Sequence, residues 1–158
     1  VDDSYSLTVS RLRAVCRRHV AHYGSLGAVL IDYVQLLKPD HRSDSREREV
    51  AEVSVGLKAL AKEFDVPVVA LSQLNRESEK SGEVNNGQLR SSGQLEQDAD
   101  VILFGVWPYK IDPTQEQDKY QFFIAKNRNR AIKKPAIECT FDASRQCLLE
   151  RDSGEWVA

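Results

Sequence analysis

The chain has 158 residues, which is enough for one domain with a sizeable core. Hydrophobic residues make up 41% and charged residues 29%, as is ordinary for a soluble globular protein. The net charge of −2 does not decide for or against a nucleic-acid partner, so local clusters of charge must do so. No apolar run reaches membrane-spanning length, no secretory signal opens the chain, and the three cysteines contain no C-x-x-C pair. We therefore expect a cytoplasmic protein.

Hydrophobic spacing predicts the secondary structure in chain order. The predicted elements are a helix over residues 9–23, a strand over 28–31, a helix over 46–64, a strand over 67–71, a short helix over 93–98, strands over 101–107 and 119–125, and a hairpin over 137–149. The remaining polar segments are predicted loops, of which the longest are 77–92, 108–118 and 126–134. The first three strands are continuous apolar runs, which is typical of strands buried on both faces.

The order of these elements indicates an α/β fold. A strand, a helix and a strand joined by so long a crossover predict a right-handed unit with parallel strands. Residues 137–141 alternate between apolar and polar side chains, which favours an antiparallel hairpin at the sheet edge. We expect a mainly parallel sheet flanked by helices, with this hairpin at one edge.

Two polar residues follow the first two predicted strands directly. Asp32 ends the apolar run of residues 28–31, and Gln73 comes just after the strand over 67–71. Ligands bind at the carboxyl ends of strands in open α/β sheets, so both side chains can face one crevice. Asp32 has the Walker B position of P-loop nucleotidases, whose carboxylate holds Mg²⁺ through water, and Gln73 could orient a water or sense a terminal phosphate. The plainer interpretation is that each is a capping or solvated loop residue.

The basic loop over residues 126–134 contains Lys126, Arg128 and three further cations. Guanidinium groups suit phosphate, so this loop could reach a neighbouring subunit's ATP as an arginine finger, or contact a nucleic-acid backbone. Residues 90–93, Arg-Ser-Ser-Gly, could bring backbone and positive charge close to a ligand. Both segments could equally be solvated loops. The three histidines have no companions at ligand spacing, so we predict neither a zinc site nor a histidine-based triad.

Taken together, these segments resemble the RecA-like motor domain of DnaB-type replicative helicases. Four blocks carry the resemblance in the family's order, over nearly the whole chain. They are VLIDYVQL at residues 29–36, similar to the Walker B block; LKALAKE at 57–63 with VPVVALSQLNR at 66–76, similar to the third motif; LRSSGQLEQDADVI at 89–102, similar to the fourth; and IAKNRN at 124–129, similar to the finger that acts across the subunit boundary.

The resemblance implies a hexameric ring that encircles one DNA strand and moves 5′ to 3′ with ATP and Mg²⁺. It assigns Mg²⁺ and the nucleophilic water to Asp32, and coupling of the γ-phosphate to the DNA loops to Gln73. It assigns the trans finger to Arg128, with Lys126 beside it on the phosphate. Residues of the channel-lining DNA loops would be Arg90, Gly93 and Arg46. A primase and a helicase loader are further partners that the family leads us to expect, in a bacterial or phage-infected cell.

The chain departs from the family pattern in three places. Ser91 stands where the family usually has an acidic residue, and residues 129–134 are more basic than the family's glycine-containing turn. No G-x-x-x-x-G-K-[ST] occurs, so the loop that cradles phosphates is missing, with the family's catalytic glutamate and amino-terminal domain. We therefore expect residues 1–150 to be the downstream part of a motor domain, followed by a tail over 151–158. We also expect exposed apolar surface, and no ATP hydrolysis or unwinding by this chain alone.

Two other hypotheses remain open at this point. Another RecA-fold ATPase, such as a recombination mediator, predicts the same crevice but not the fourth block and the finger together. A naturally P-loop-free module could bind DNA or a helicase ring without catalysis, and the missing P-loop favours it. Against it, a module without catalysis has no physical need for Asp32, Gln73, Lys126 and Arg128 all at once.

Overall fold

The computed structural model describes residues 2, 7–41, 43–73, 93–132 and 136–151. In chain order the elements are α1 (Val9–Tyr23), β1 (Val29–Ile31), a 3₁₀ turn (Val34–Leu36), α2 (Arg46–Phe64), β2 (Val68–Ala70), α3 (Gly93–Asp98), β3 (Val101–Val106), α4 (Pro108–Ile111), β4 (Lys119–Asn127), β5 (Ile137–Asp142) and β6 (Cys147–Glu150). These residues divide into two compact units. The first contains the described residues up to 73 together with 93–99, and the second contains residues 100–132 and 136–151. None of the described helices is both long enough and apolar enough to cross a membrane.

The two long helices have the bounds that the sequence predicts, because capping residues in the sequence fix where each helix begins. Thr8 accepts a hydrogen bond from the Arg11 backbone N–H at the start of α1, and Gly24 ends that helix at a φ of 83°. Ser45 accepts from the Arg48 N–H at the start of α2. Both helices place their apolar stripes in one core, which strands β1 and β2 complete. Its buried members are Val9, Leu12, Cys16, Val29, Ile31, Val34, Leu37, Val53, Leu57 and Leu60.

Strands β1 and β2 pair in parallel, as the long crossover predicts. Val29 lies opposite Val68, and Ile31 lies opposite Ala70. The ladder continues past the strands, since the Leu71 N–H donates to the Ile31 carbonyl at 2.9 Å and the Val34 N–H donates to the Leu71 carbonyl at 2.8 Å. The two segments that follow β1 and β2 therefore leave the sheet at the same edge, in a register held by backbone hydrogen bonds.

Burial on both faces is not observed in these strands, so that part of the expectation is wrong. In β1, Val29 and Ile31 are buried while Leu30 is 77% exposed. Its register partner Val69 is 49% exposed, on the same face. The physical reason is that, among the described residues, the helical core covers one face of the pair. The other face is exposed apolar surface, as expected from the sequence.

Helix α3 is attached to α2 by a small polar cluster. The buried Ser54 donates to Asp98 Oδ2 at 2.7 Å, and Gln94 Nε2 donates to Asp98 Oδ1 at 3.0 Å. Leu95 packs against the core beside this cluster. Both carboxylate oxygens are therefore satisfied, and the short helix has a defined place on α2.

The second unit is an antiparallel sheet of four strands in the order β3-β4-β5-β6. It contains the predicted hairpin as β5 and β6, and the antiparallel part extends further than the hairpin alone. Lys119 Nζ lies 2.6 Å from Glu138 Oε1, and Gln121 donates to the same oxygen at 3.1 Å. The hydrogen bond from Lys119, and to a smaller extent the one from Gln121, lower the pKa of Glu138. Both bonds also stabilise the register of β4 against β5.

Three local expectations in this unit need correction. Strand β3 is not a buried strand, because Val101 and Leu103 are exposed and only Phe104 among its described residues is buried. Residues 108–118 are not wholly a loop, since Pro108 starts the short helix α4. Lys126 lies in β4 and not in the basic loop, because the ladder with β3 continues as far as Asn127.

Leu60 provides a test of the core. Its side chain is 0% exposed, so Leu60→Ala leaves a cavity and should lower the free energy of unfolding by about 2–5 kcal/mol. Val55, on the same helix, is 55% exposed, and Val55→Ala should change that free energy by only about 0.5 kcal/mol. Urea unfolding of the three chains measures both differences. Equal effects of the two substitutions would contradict the assignment of the buried face of α2.

Candidate functional site at the strand ends

Asp32 and Gln73 lie at the same edge of the parallel pair, as the sequence predicts. Asp32 follows Ile31 directly, and Gln73 follows Leu71 by two residues. The backbone bonds between Ile31, Leu71 and Val34 hold the two exits together. This register brings the two polar residues to one side of the sheet, where parallel α/β folds bind ligands.

The Asp32 side chain is exposed, and the peptide bond to Tyr33 is cis. Within the described ranges, no side chain or backbone group donates a hydrogen bond to this carboxylate. A carboxylate that is solvated, unpaired and at a strand end fits the outer-sphere role of holding Mg²⁺ through water. No group of three acidic, histidine or cysteine side chains that could hold a metal directly occurs in the described part of the chain.

Gln35 joins the two strand exits through its side chain. Its Nε2 donates to Ser72 Oγ at 3.0 Å and to the Gln73 carbonyl at 3.2 Å. Its own backbone carbonyl accepts from Arg46 Nη2 at 3.1 Å. The sequence pattern did not single out Gln35, although its position three residues after Asp32 in the same block was an available signal.

Arg46, which the resemblance assigns to a DNA loop, contacts other residues of its own unit in the structure. Besides Gln35, its guanidinium lies 3.5 Å from Glu49 Oε2, one turn along α2. The side chain is 63% exposed, so it can still meet an anion while it makes these contacts. The structure gives Arg46 a bracing contact, and leaves its assignment to DNA as a hypothesis.

Arg128 lies just after β4 and is paired with Asp100. Its Nη1 lies 3.0 Å from Asp100 Oδ1, and its backbone N–H donates to the Asp100 carbonyl at 2.8 Å. Both side chains are about half exposed, at 48% and 47%. The pair orients the guanidinium without burying it. Asp100 is a second residue to which the sequence pattern assigned no role, although it immediately precedes β3.

Two local features direct the chain around Lys126 and Arg128. The pairing shifts between Ile102 and Leu103, so Ala125 is an extra residue on β4, and a bulge of this kind changes where the following side chains point. Asn127 Oδ1 then accepts from the backbone N–H groups of Asn129 at 3.3 Å and Arg130 at 3.1 Å. The chain after β4 thus turns around the Asn127 side chain.

Of the expected DNA-contacting residues, Gly93 is the first residue of α3, at the start of the helix that Ser54 and Asp98 attach to α2. Arg90 lies outside the described residues. The predicted loop over 77–92 lies there too. Asp32, Gln73, Arg46 and Gly93 are in the first unit, and Lys126 and Arg128 are in the second.

The turn after β4 can be tested without an activity assay. Asn127→Ala removes the acceptor for two backbone N–H groups, so the amides of Asn129 and Arg130 should exchange with solvent several-fold faster. Asn127→Asp keeps an oxygen in place and should leave both amides close to their original rates. Hydrogen exchange measured residue by residue by NMR gives the answer. Unchanged exchange in Asn127→Ala would show that Asn127 does not hold this turn.

Comparison with known proteins finds a family model and several relatives that cover most of this chain. Residues 1–147 match the family model of the DnaB-like helicase C-terminal domain. The replicative DNA helicase DnaB of Haemophilus influenzae is 42% identical over 149 residues, covering 92% of this chain and 32% of that protein. The replicative DNA helicase DnaC of Bacillus subtilis is 38% identical over 158 residues, covering 96% and 34%.

Solved structures agree on the fold. One of them, described as an ATPase domain, superposes with a TM-score of 0.88 at 32% identity, covering 94% of this chain and 53% of that one. A DnaB-like replicative helicase, described with its interactions with primase, has a TM-score of 0.88 at 31% identity and covers 95% and 37%. The chain spans about a third of the length of its curated relatives. The fold is thus a RecA-like α/β fold, and the chain belongs to the DnaB-like helicase C-terminal domain family.

Proposed function

We propose that this chain is the downstream part of the motor of a replicative DNA helicase, which couples ATP hydrolysis to 5′–3′ movement on single-stranded DNA and to duplex unwinding. Residues 1–150 would form the motor part and residues 151–158 a tail. The observation that carries the proposal is the parallel register that brings Asp32 and Gln73 to one sheet edge, in a chain of the DnaB-like family.

The exposed Asp32 carboxylate suits a role in ATP hydrolysis. Asp32 would hold Mg²⁺ through water and orient the attacking water, and the ion would neutralise charge on the phosphates. Gln73, at the end of the neighbouring strand, would respond to the γ-phosphate and pass its presence to the DNA loops. The support for this pair of roles is their shared edge, their exposure and the absence of other described partners for Asp32.

Arg128 and Lys126 would serve the nucleotide of a neighbouring subunit in a homo-hexamer. A half-exposed guanidinium that is oriented by a carboxylate can exchange this carboxylate for a phosphate. The exchange is possible because carboxylate and phosphate oxygens both accept the paired N–H donors of a guanidinium. This arrangement supports a finger that acts in trans, since charge stabilisation from an adjacent subunit needs a cation at the surface.

DNA contact would come from Arg90, Gly93 and Arg46. Gly93 begins a helix attached to α2, so a loop that ends there has a defined anchor on one side. The helicase solved with its interactions with primase supports primase as a partner. A helicase loader would be a further partner, as the resemblance to the family implies. Bacterial relatives support a cytoplasmic location, in a bacterial or phage-infected cell.

The 158 residues contain no phosphate-cradling P-loop, so we propose that this polypeptide by itself neither hydrolyses ATP nor unwinds DNA. The activity would belong to a longer protein that also carries that loop. A P-loop-free binding module would instead remain silent in every context. The two possibilities differ in the behaviour of the protein made from the full reading frame that contains this sequence.

The first experiment measures ATP hydrolysis by that full-length protein with and without single-stranded DNA. DNA should stimulate turnover, and Arg128→Ala should lower kcat by about 10³-fold or more if it acts as a finger. Asp32→Ala should also abolish turnover. Arg145→Ala and Asp112→Ala are matched controls, because Arg145 is exposed, Asp112 is half-buried, and both lie outside the site and should keep wild-type rates. A silent wild-type protein that contains no P-loop would exclude the helicase function.

Mixing the two inactive proteins tests action in trans. Subunits with Asp32→Ala still offer Arg128, and subunits with Arg128→Ala still offer Asp32, so mixed rings contain some complete interfaces. Partial recovery of hydrolysis is expected after subunit exchange. No recovery, in mixtures shown by native mass spectrometry to contain both chains, would argue that Arg128 serves its own subunit.

Arg90→Ala tests the DNA loop. Loss of one phosphate contact should weaken binding to a labelled oligo(dT) and reduce the slope of log K against log salt concentration by about 0.7. Fluorescence anisotropy of the full-length protein at several salt concentrations measures both quantities. Arg145→Ala, which removes an exposed arginine paired with Asp142, should leave the slope unchanged. An unchanged slope in Arg90→Ala would remove Arg90 from the DNA contact.

A further inference from the structure

We infer that Gln35 is a positioning residue for Gln73, and that it sets how strongly DNA stimulates ATP hydrolysis. The inference rests on the proposed function and adds a residue to it. Gln35 touches neither of the proposed reacting groups directly. It acts on the backbone from which the Gln73 side chain projects, through hydrogen bonds within one compact unit.

The Gln35 amide uses both of its donor positions on the end of the neighbouring strand. Nε2 is 3.0 Å from Ser72 Oγ and 3.2 Å from the Gln73 carbonyl oxygen. A carbonyl oxygen can only accept, so the donor end of the amide must face Gln73. The two residues that follow β2 are therefore tied to a residue that follows β1, from 37 and 38 positions away in the chain.

The other end of the same amide is left without a partner. Gln35 Oε1 is buried and accepts no hydrogen bond from the described residues. An orphaned buried acceptor costs stability, and such groups in folded proteins call for an explanation. A side chain whose donor end must hold the Gln73 backbone explains why the amide is oriented this way.

The backbone of Gln35 is itself held. Val34 donates its N–H to the Leu71 carbonyl at 2.8 Å, and the Gln35 carbonyl accepts from Arg46 at the start of α2 at 3.1 Å. Gln35 thus links β1, the end of β2 and α2. With the Gln73 backbone fixed and its side chain exposed, a change at the phosphate would turn the side chain while the backbone stays in place.

This arrangement makes a specific prediction about kinetics. Gln35→Met keeps the length of the side chain and removes both donors, so the Gln73 backbone loses its tie while Asp32 is untouched. The KM for ATP should stay within about twofold of wild type, whereas the ratio of DNA-stimulated to basal kcat should fall about tenfold. Gln73→Ala should produce the same loss. The double variant should be no worse than either single variant, because both interrupt one interaction.

The experiment measures steady-state hydrolysis by the full-length protein, with and without oligo(dT), for wild type, Gln35→Met, Gln73→Ala and the double variant. Gln115→Met is the matched control, since it removes one amide donor to Asp112 in an exposed loop and should keep the wild-type ratio. Thermal melts accompany each protein. If Gln35→Met does not fold, Gln35→Asn replaces it, because the shorter amide stays polar and cannot reach both partners.

The outcomes separate the inference from the function on which it rests. A wild-type ratio in folded Gln35→Met or Gln35→Asn overturns the inference and leaves the helicase function standing. A double variant whose losses multiply also overturns it, because Gln35 and Gln73 would then act independently. A wild-type protein without DNA-stimulated turnover overturns the proposed function itself, and the inference with it.

Discussion

The parallel hydrogen bonding of β1 with β2 is the constraint on which the candidate site depends. Because Ile31 lies opposite Ala70, the residues after both strands emerge at one edge, and the backbone bonds through Leu71 keep them there. A shift of one residue would turn Asp32 to the other face of the pair. The buried side chains of Val29 and Ile31 oppose such a shift, since it would expose both of them and turn Leu30 and the charged Asp32 toward the core.

Polar side chains then connect this edge to the helices of the first unit. Gln35 holds the end of β2, Arg46 connects Gln35 to the start of α2, and Ser54 with Asp98 attaches α3 further along α2. Each bond is modest by itself. Together they connect the first residue of α2 to Gln35, and Ser54 in the middle of α2 to α3.

In the second unit, the end of β4 holds the Arg128 guanidinium in a defined orientation while its side chain stays about half exposed. The bulge at Ala125, the turn closed by Asn127 and the pair between Arg128 and Asp100 all direct the end of β4. A surface ion pair of this exposure contributes little to stability. Its physical consequence is orientation, and a carboxylate partner that water can reach is one that a phosphate can replace.

The sequence by itself determined the helices, the parallel unit and the candidates Asp32, Gln73 and Arg128, because helical spacing, capping residues and apolar runs are local signals. It also indicated the family, through four blocks in order, and the family model and relatives confirm that membership. It could not determine that β1 and β3 are exposed on one face, that Lys126 lies within β4, or that Gln35 and Asp100 contact the candidate residues. Those features were decided by tertiary structure, since burial and hydrogen bonding between residues 28 or 38 positions apart depend on how strands pair and not on local sequence.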